Sequence, residues 1–102
     1  MSSNNLSSPA TPEEMDRMAA RFRALGEPMR LRILQAVCKE PRSVNDIVAA
    51  TGSTQANISK HLALLTIAGI LEREKDGQRV FYGVKDKLAV KLCELVRAQV
   101  TE

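Results

Sequence analysis

Four side chains on one short stretch, Gln55, Asn57, Ser59 and Lys60, have the chemistry of nucleic-acid recognition. The amides of Gln55 and Asn57 present a donor beside an acceptor and match an adenine edge. Lys60 serves a guanine or a phosphate. Ser59 suits a phosphate or a water-mediated contact. Taken alone, the same residues also read as a solvated helix face. His61 follows at once and borders an apolar stripe, so it is expected to pack or to touch a phosphate alongside the other four. It is the chain's single histidine, so no second imidazole can share a metal with it. A second polar group lies further on: Arg73, Lys75, Gln78 and Arg79. Glu72, Glu74 and Asp76 interleave with it, so its field is not strongly positive. Two cysteines, Cys38 and Cys93, complete the reactive groups. No Ser/His/Asp set and no carboxylate pair stands out, which leaves enzyme chemistry without support.

These side chains need elements to hold them. From Ser43, a short helical pattern places Val44, Ile47, Val48 and Ala50 at helical spacing, with Ser43 as N-cap and Asp46 in the first turn. Thr51-Gly52-Ser53 breaks it. Thr54 can cap a second helix whose apolar residues, Ile58, Leu62 and Leu65, form one stripe. Two helices joined by a short glycine-containing turn are a helix-turn-helix. Leu71–Lys75 and Gln78–Val84 then flank Asp76-Gly77, a strong hairpin signal. A two-residue Asp-Gly turn sets Glu74 opposite Arg79.

Before this unit come two further helices. Thr11-Pro12-Glu13-Glu14 has the form of a capping box with proline at the first position. Met15, Met18, Ala19, Phe22 and Leu25 mark an apolar face, and Gly26 closes the helix. Glu27-Pro28 opens the next helix, with Leu31, Ile33, Leu34, Val37 and Cys38 as its apolar residues, and Pro41 stops it. After the hairpin, Asp86 can cap a last helix with a stripe of Leu88, Leu92, Leu95 and Val96. One domain cannot easily bury both this stripe and the Met15/Met18/Phe22 face, so a homodimer through the first and last helices is expected. The fold class is mainly α with a β-hairpin wing, a winged helix-turn-helix. The second helix of the pair enters the major groove, with Thr54, Gln55, Asn57, Ser59, Lys60 and His61 at its DNA side. The ribbon touches the backbone or minor groove with Arg73, Lys75, Gln78 and Arg79.

Composition sets the frame. The 102 residues suit one domain. Residues 1–10 are polar and rich in Ser and Asn, and read as a flexible tail; residues 11–102 read as the DNA-binding and dimerisation domain. Aromatics are only 3%, so the core must be aliphatic. A net charge of +3 is compatible with nucleic acid and excludes little. No membrane span or signal peptide is legible, so the cytoplasm is the expected compartment and a structural disulfide between the distant cysteines is not expected.

ALGEPMRLRIL at 24–34, TQANISKHLALL at 54–65, AGIL at 68–71 and DGQRVFYGV at 76–84 resemble the ArsR/SmtB family of small dimeric bacterial repressors. The resemblance covers roughly residues 12–100. It implies a homodimer on double-stranded operator DNA with two-fold symmetry, released by a metal ion or another inducer. The family's metalloid site falls on Pro41–Ile47, where Ser43 and Asn45 stand in place of the thiolates. Its zinc site on the last helix matches at Asp86 and Glu102, but Leu88 and Gln99 replace the histidines. No metal and no cofactor is therefore expected, and the small inducer is left open. Some relatives use a thiol in the second helix and one in the last as a redox switch. Cys38 and Cys93 lie on those helices, displaced from the relatives' positions at Gln35 and about two turns beyond Cys93. They are candidates for such a switch, with buried small hydrophobes as the alternative. A winged-helix module used for protein–protein contact, without specific DNA binding, is the alternative function.

Overall fold

The computed structural model describes residues 8–101. The tail expected over residues 1–10 therefore lies mostly outside the described residues. The elements run α1 (Pro12–Leu25), α2 (Pro28–Val37), β1 (Arg42–Ser43), α3 (Val44–Thr51), α4 (Gln55–Ile67), β2 (Leu71–Asp76), β3 (Arg79–Val84) and α5 (Lys87–Val100).

Local chemistry sets the helix starts. The Thr11 amide donates to Glu14 Oε1 at 2.8 Å, and the Glu14 amide donates to Thr11 Oγ1 at 3.1 Å, completing the capping box before Pro12. Glu27, Ser43, Thr54 and Asp86 cap the other four helices through their side-chain oxygens. Gly52 ends α3 at φ +71, a left-handed turn that other residues enter only with strain. That turn redirects the chain into α4. Arg32 of α2 donates to the Thr51 carbonyl at 2.5 Å and satisfies the same helix end from outside.

The core is aliphatic throughout, as the composition requires. Ile33, Leu34 and Val37 of α2, Ile47 of α3, Ile58, Leu62 and Leu65 of α4, and Ile70-Leu71 at the start of the wing are buried together. Each such side chain stabilises the fold by about 1.5–3 kcal/mol relative to exposure. Several expected core positions differ. Ala50 is exposed, and Thr51 turns inward instead, its hydroxyl donating to the Ile47 carbonyl at 2.8 Å. Leu31 and Cys38 of α2 face outward. Leu92 is half-buried against the protomer's own core rather than on the outer stripe of α5.

The sheet has one strand more than the sequence suggests. β1 pairs antiparallel with β3, Arg42 opposite Tyr82 and Ser43 opposite Phe81, in the order β1-β3-β2. The wing turn also lies one residue later than expected. Asp76 stays in β2 and pairs with Arg79, so Gly77-Gln78 is the two-residue loop and Glu74 faces Phe81, not Arg79. Gly77 takes φ +65 while Gln78 does not adopt a positive φ. A glycine at the first central position is the requirement of a II′ hairpin turn, whereas Asp-Gly in a I′ turn needs both residues left-handed.

Candidate nucleic-acid interface

Helix α4 presents its N-terminal turn to solvent. The Thr54 hydroxyl accepts from the Asn57 amide at 3.1 Å and fixes where the helix begins. No acidic side chain lies in its first turn, so the positive end of the helix dipole is left available to a phosphate. Gln55, Ser59 and Lys60 are exposed. Gln55 and Ser59 lie one turn apart, and so do Ala56 and Lys60, giving one continuous exposed face. Ala56 joins the residues expected to read bases: it is exposed on that face, and its methyl suits a thymine methyl. Its helical offset of four from Lys60 is the signal that marks it.

Two expected members of this set are turned away. Asn57 is half-buried and donates its side-chain amide to Ser53 Oγ at 2.9 Å, so it braces the turn before α4. His61 is only 8% exposed, too buried to reach DNA. Its Nδ1 lies 3.3 Å from an Arg30 guanidinium nitrogen of α2. His61 projects toward α2 and Asn57 toward the preceding turn, and helical period alone does not say where those neighbours lie.

Between α4 and the wing runs a groove lined by Ser43, Val44 and Asn45 at the start of α3, by Gln55, and by Gln78, Arg79 and Val80. The structure thus brings Gln55 together with two of the four wing residues, Gln78 and Arg79. Ser43 and Asn45 join them through β1, whose pairing with β3 had no local signal. Arg79 also lies over the Phe81 ring, 5.0 Å from its centroid, which orients the guanidinium. Arg73 and Lys75 are exposed but belong to the other face of the ribbon. They pair with Tyr82 and Val80, whereas Glu72, Glu74 and Asp76 pair with Gly83, Phe81 and Arg79. Strand alternation therefore sorts the interleaved charges into a basic face and a mainly acidic one.

The two cysteines occupy different settings. Cys38 follows the last turn of α2, is exposed, and donates its thiol to the Gln35 carbonyl at 3.2 Å. It opens onto a groove between the α2–β1 connection, the sheet and α5, with Lys87, Val90, Lys91 and Glu94 on the α5 wall. Cys93 is half-buried against the core, and burial pushes its thiol pKa up. Both are free thiols. Among the described residues, no cluster of three or more His, Cys, Asp or Glu side chains could hold a metal. Ser43, at one family metal position, is engaged as the cap of α3, accepting from the Asp46 amide at 3.2 Å. Asp86 caps α5 and is paired with Arg21 of α1. Glu102 lies outside the described residues. No described helix is long and apolar enough to cross a membrane.

A capped recognition helix, a glycine-turned partner helix and a ribbon sharing one groove with it define a winged helix-turn-helix protein. The chain belongs to the ArsR family of bacterial regulatory proteins, whose family description matches residues 27–73. It is 34% identical over 82 residues to a probable mercury resistance operon repressor of Streptomyces lividans, spanning 80% of this chain and 66%, just under two thirds, of that protein. It is 30% identical over 73 residues to the transcriptional regulator YgaV of Escherichia coli, covering 71% of this chain and 74% of YgaV. Among solved structures it is similar to the homodimeric winged helix-turn-helix DNA-binding domain Mb0332 of Mycobacterium bovis. The TM-score is 0.82 at 27% identity, with 100% of this chain and 92% of that one covered. These relatives are regulators and not enzymes, in keeping with a sequence that offers no catalytic arrangement.

Proposed function

We propose that the protein is a dimeric, sequence-specific DNA-binding transcriptional repressor acting in the cytoplasm on an operator with two-fold symmetry. The observation that carries this reading is the shared groove of Gln55, Gln78 and Arg79 beside the exposed Gln55/Ser59/Lys60 face of α4. A helix that reads bases and a ribbon that holds the backbone must reach the same DNA segment, and this groove puts them side by side. Dimerisation is supported by apolar faces exposed among the described residues: Met15, Met18 and Phe22 on α1, and Leu88, Leu95, Val96 and Val100 on α5, each at least 49% exposed. Patches of this kind mark association surfaces. Mb0332, described as homodimeric, and the Streptomyces repressor support the same assignment by similarity.

In this reading the inducer is not a metal held at the family's usual positions, where Ser43 and Asn45 stand in place of thiolates and Leu88 and Gln99 in place of histidines. A thiol-reactive species acting at exposed Cys38 is the candidate signal. A mobility shift on the DNA upstream of the protein's own coding sequence, with excess random competitor, tests the assignment. Selective retention of that fragment is expected. Equal binding to both DNAs, or to neither, leaves the protein-contact module as the function.

A further inference from the structure

Arg30 is a three-way tie. Its Nε donates to the Ala24 carbonyl at 2.7 Å, one terminal nitrogen donates to the Arg23 carbonyl at 3.0 Å, and the other lies 3.3 Å from His61 Nδ1. The first two acceptors are in the last turn of α1, the helix with the outward apolar face. The third is on α4, the helix that reads DNA. A guanidinium has donors only. His61 Nδ1 must therefore accept, and the neutral ring must carry its proton on Nε2. The imidazole is 8% exposed, so water does little to screen what stands next to it.

Protonating this ring has two consequences. It removes the acceptor that Arg30 uses, and it sets a second cation against the guanidinium at hydrogen-bond distance. One neighbouring charge acts in the opposite direction. Glu27, at the start of α2, accepts the Arg30 amide at 2.9 Å and attracts both Arg30 and a charged His61 at longer range, but among the described residues it forms no ion pair with the ring and so does not replace the lost hydrogen bond. Lys60, adjacent on α4, is another cation. From α3 and β2, no hydrogen bond or ion pair reaches His61 among the described residues.

We propose that His61 is a positioning residue whose protonation uncouples α4 from α1, so that DNA affinity falls as the pH falls. The inference rests on the DNA-binding function proposed above. Its sign sets it apart from the generic case. Acidification makes a protein more positive and ordinarily strengthens binding to phosphates. A histidine touching a phosphate would add to that strengthening.

The test is fluorescence anisotropy with the upstream DNA fragment at constant ionic strength, at about pH 8 and about pH 5.5. The wild type should lose about fivefold or more in affinity, the lower end of ordinary coupling between sites. His61→Gln keeps an oxygen that can accept from Arg30 but cannot titrate, and its affinity should not fall. Arg30→Met removes the facing cation and should also abolish the fall. A wild-type affinity that is flat or rises on acidification, or an equal fall in His61→Gln, overturns the proposal. A second readout needs no DNA. As the only histidine, His61 gives unambiguous ring signals in NMR. The neutral ring should be the Nε2–H tautomer, and the amides of Arg23, Ala24 and Arg30 should shift in step with its titration. An Nδ1–H ring, or amides that ignore the titration, defeats the coupling even if DNA binds. Absence of DNA binding at pH 8 defeats the proposed function instead, and the NMR result then stands alone as the judge of the junction.

Discussion

Gln55 and Arg79 share one groove but differ in chemistry. A glutamine amide discriminates donor and acceptor patterns on a base, whereas a guanidinium at the wing neutralises phosphate. Gln55→Ala should relax specificity at one base pair per half-site, a loss of about 1–3 kcal/mol against the preferred base. Arg79→Ala should weaken binding to every sequence alike and reduce the salt slope by about one. Parallel titrations on operator and random DNA at several salt concentrations separate the two. The thiols divide in the same manner. Cys38 is exposed, while burial raises the pKa of Cys93 and lowers its thiolate fraction. If a polysulfide or oxidant releases the DNA, Cys38→Ser should abolish that release and Cys93→Ser should retain it. A response that survives in Cys38→Ser places the signal elsewhere.

Helix ends carry much of the placement of α4. Thr54→Ala removes the oxygen that satisfies the Asn57 amide and should cost about 1 kcal/mol of stability, read as a lower denaturation midpoint. It should also weaken DNA binding, because the first turn of α4 is the part proposed to enter the DNA groove. At the start of α2, the Arg30 amide hydrogen bond holds the Glu27 carboxyl below its ordinary pKa against an opposing effect of desolvation, with the charges of His61 and Arg30 assisting. A carboxyl depressed in the folded state contributes stability above its unfolded pKa, and that contribution is lost as pH falls through the folded value. Glu27→Gln should therefore flatten this part of the acid limb of the stability profile. Exposure keeps the effect small, so thermal melts at closely spaced acidic pH values are the suitable measurement.

For the whole molecule, most of α1 and the outer side of α5 are exposed among the described residues, with Phe22 57% and Leu95 58% exposed. A pair of two-fold-related recognition helices needs a fixed separation of about 34 Å to meet successive major grooves on one side of the DNA. The α1 and α5 faces are the surfaces that can set it. Leu95→Glu would place a charge in that interface without disturbing the protomer's core, and should give monomers with far weaker operator binding. Leu92 is unsuitable for this purpose, because it packs on its own core and its loss would report on folding. Sedimentation of Leu95→Glu showing an unchanged dimer would remove α5 from the interface.

The caps at Thr11, Ser43, Thr54 and Asp86, the Ile58/Leu62/Leu65 stripe, the turn at Gly52 and the hairpin near Gly77 were legible from residue order. Each depends on groups within four positions of one another, so spacing carries the information. The helix-turn-helix with its wing follows from these local signals taken in sequence. Other features depended on residues far apart. β1 exists only because Arg42-Ser43 meets Tyr82-Phe81 of β3, and two residues have no periodicity to read. The wing register lies one residue on, with Asp76 opposite Arg79 and Gly77 alone at positive φ. Asn57, His61 and Leu92 sit at the borders of their helical faces. Whether a border residue is exposed is decided by the neighbouring element, which the 3.6-residue period does not locate. The Arg30 tie between α1 and His61 spans 31 positions, and packing alone brought its ends together.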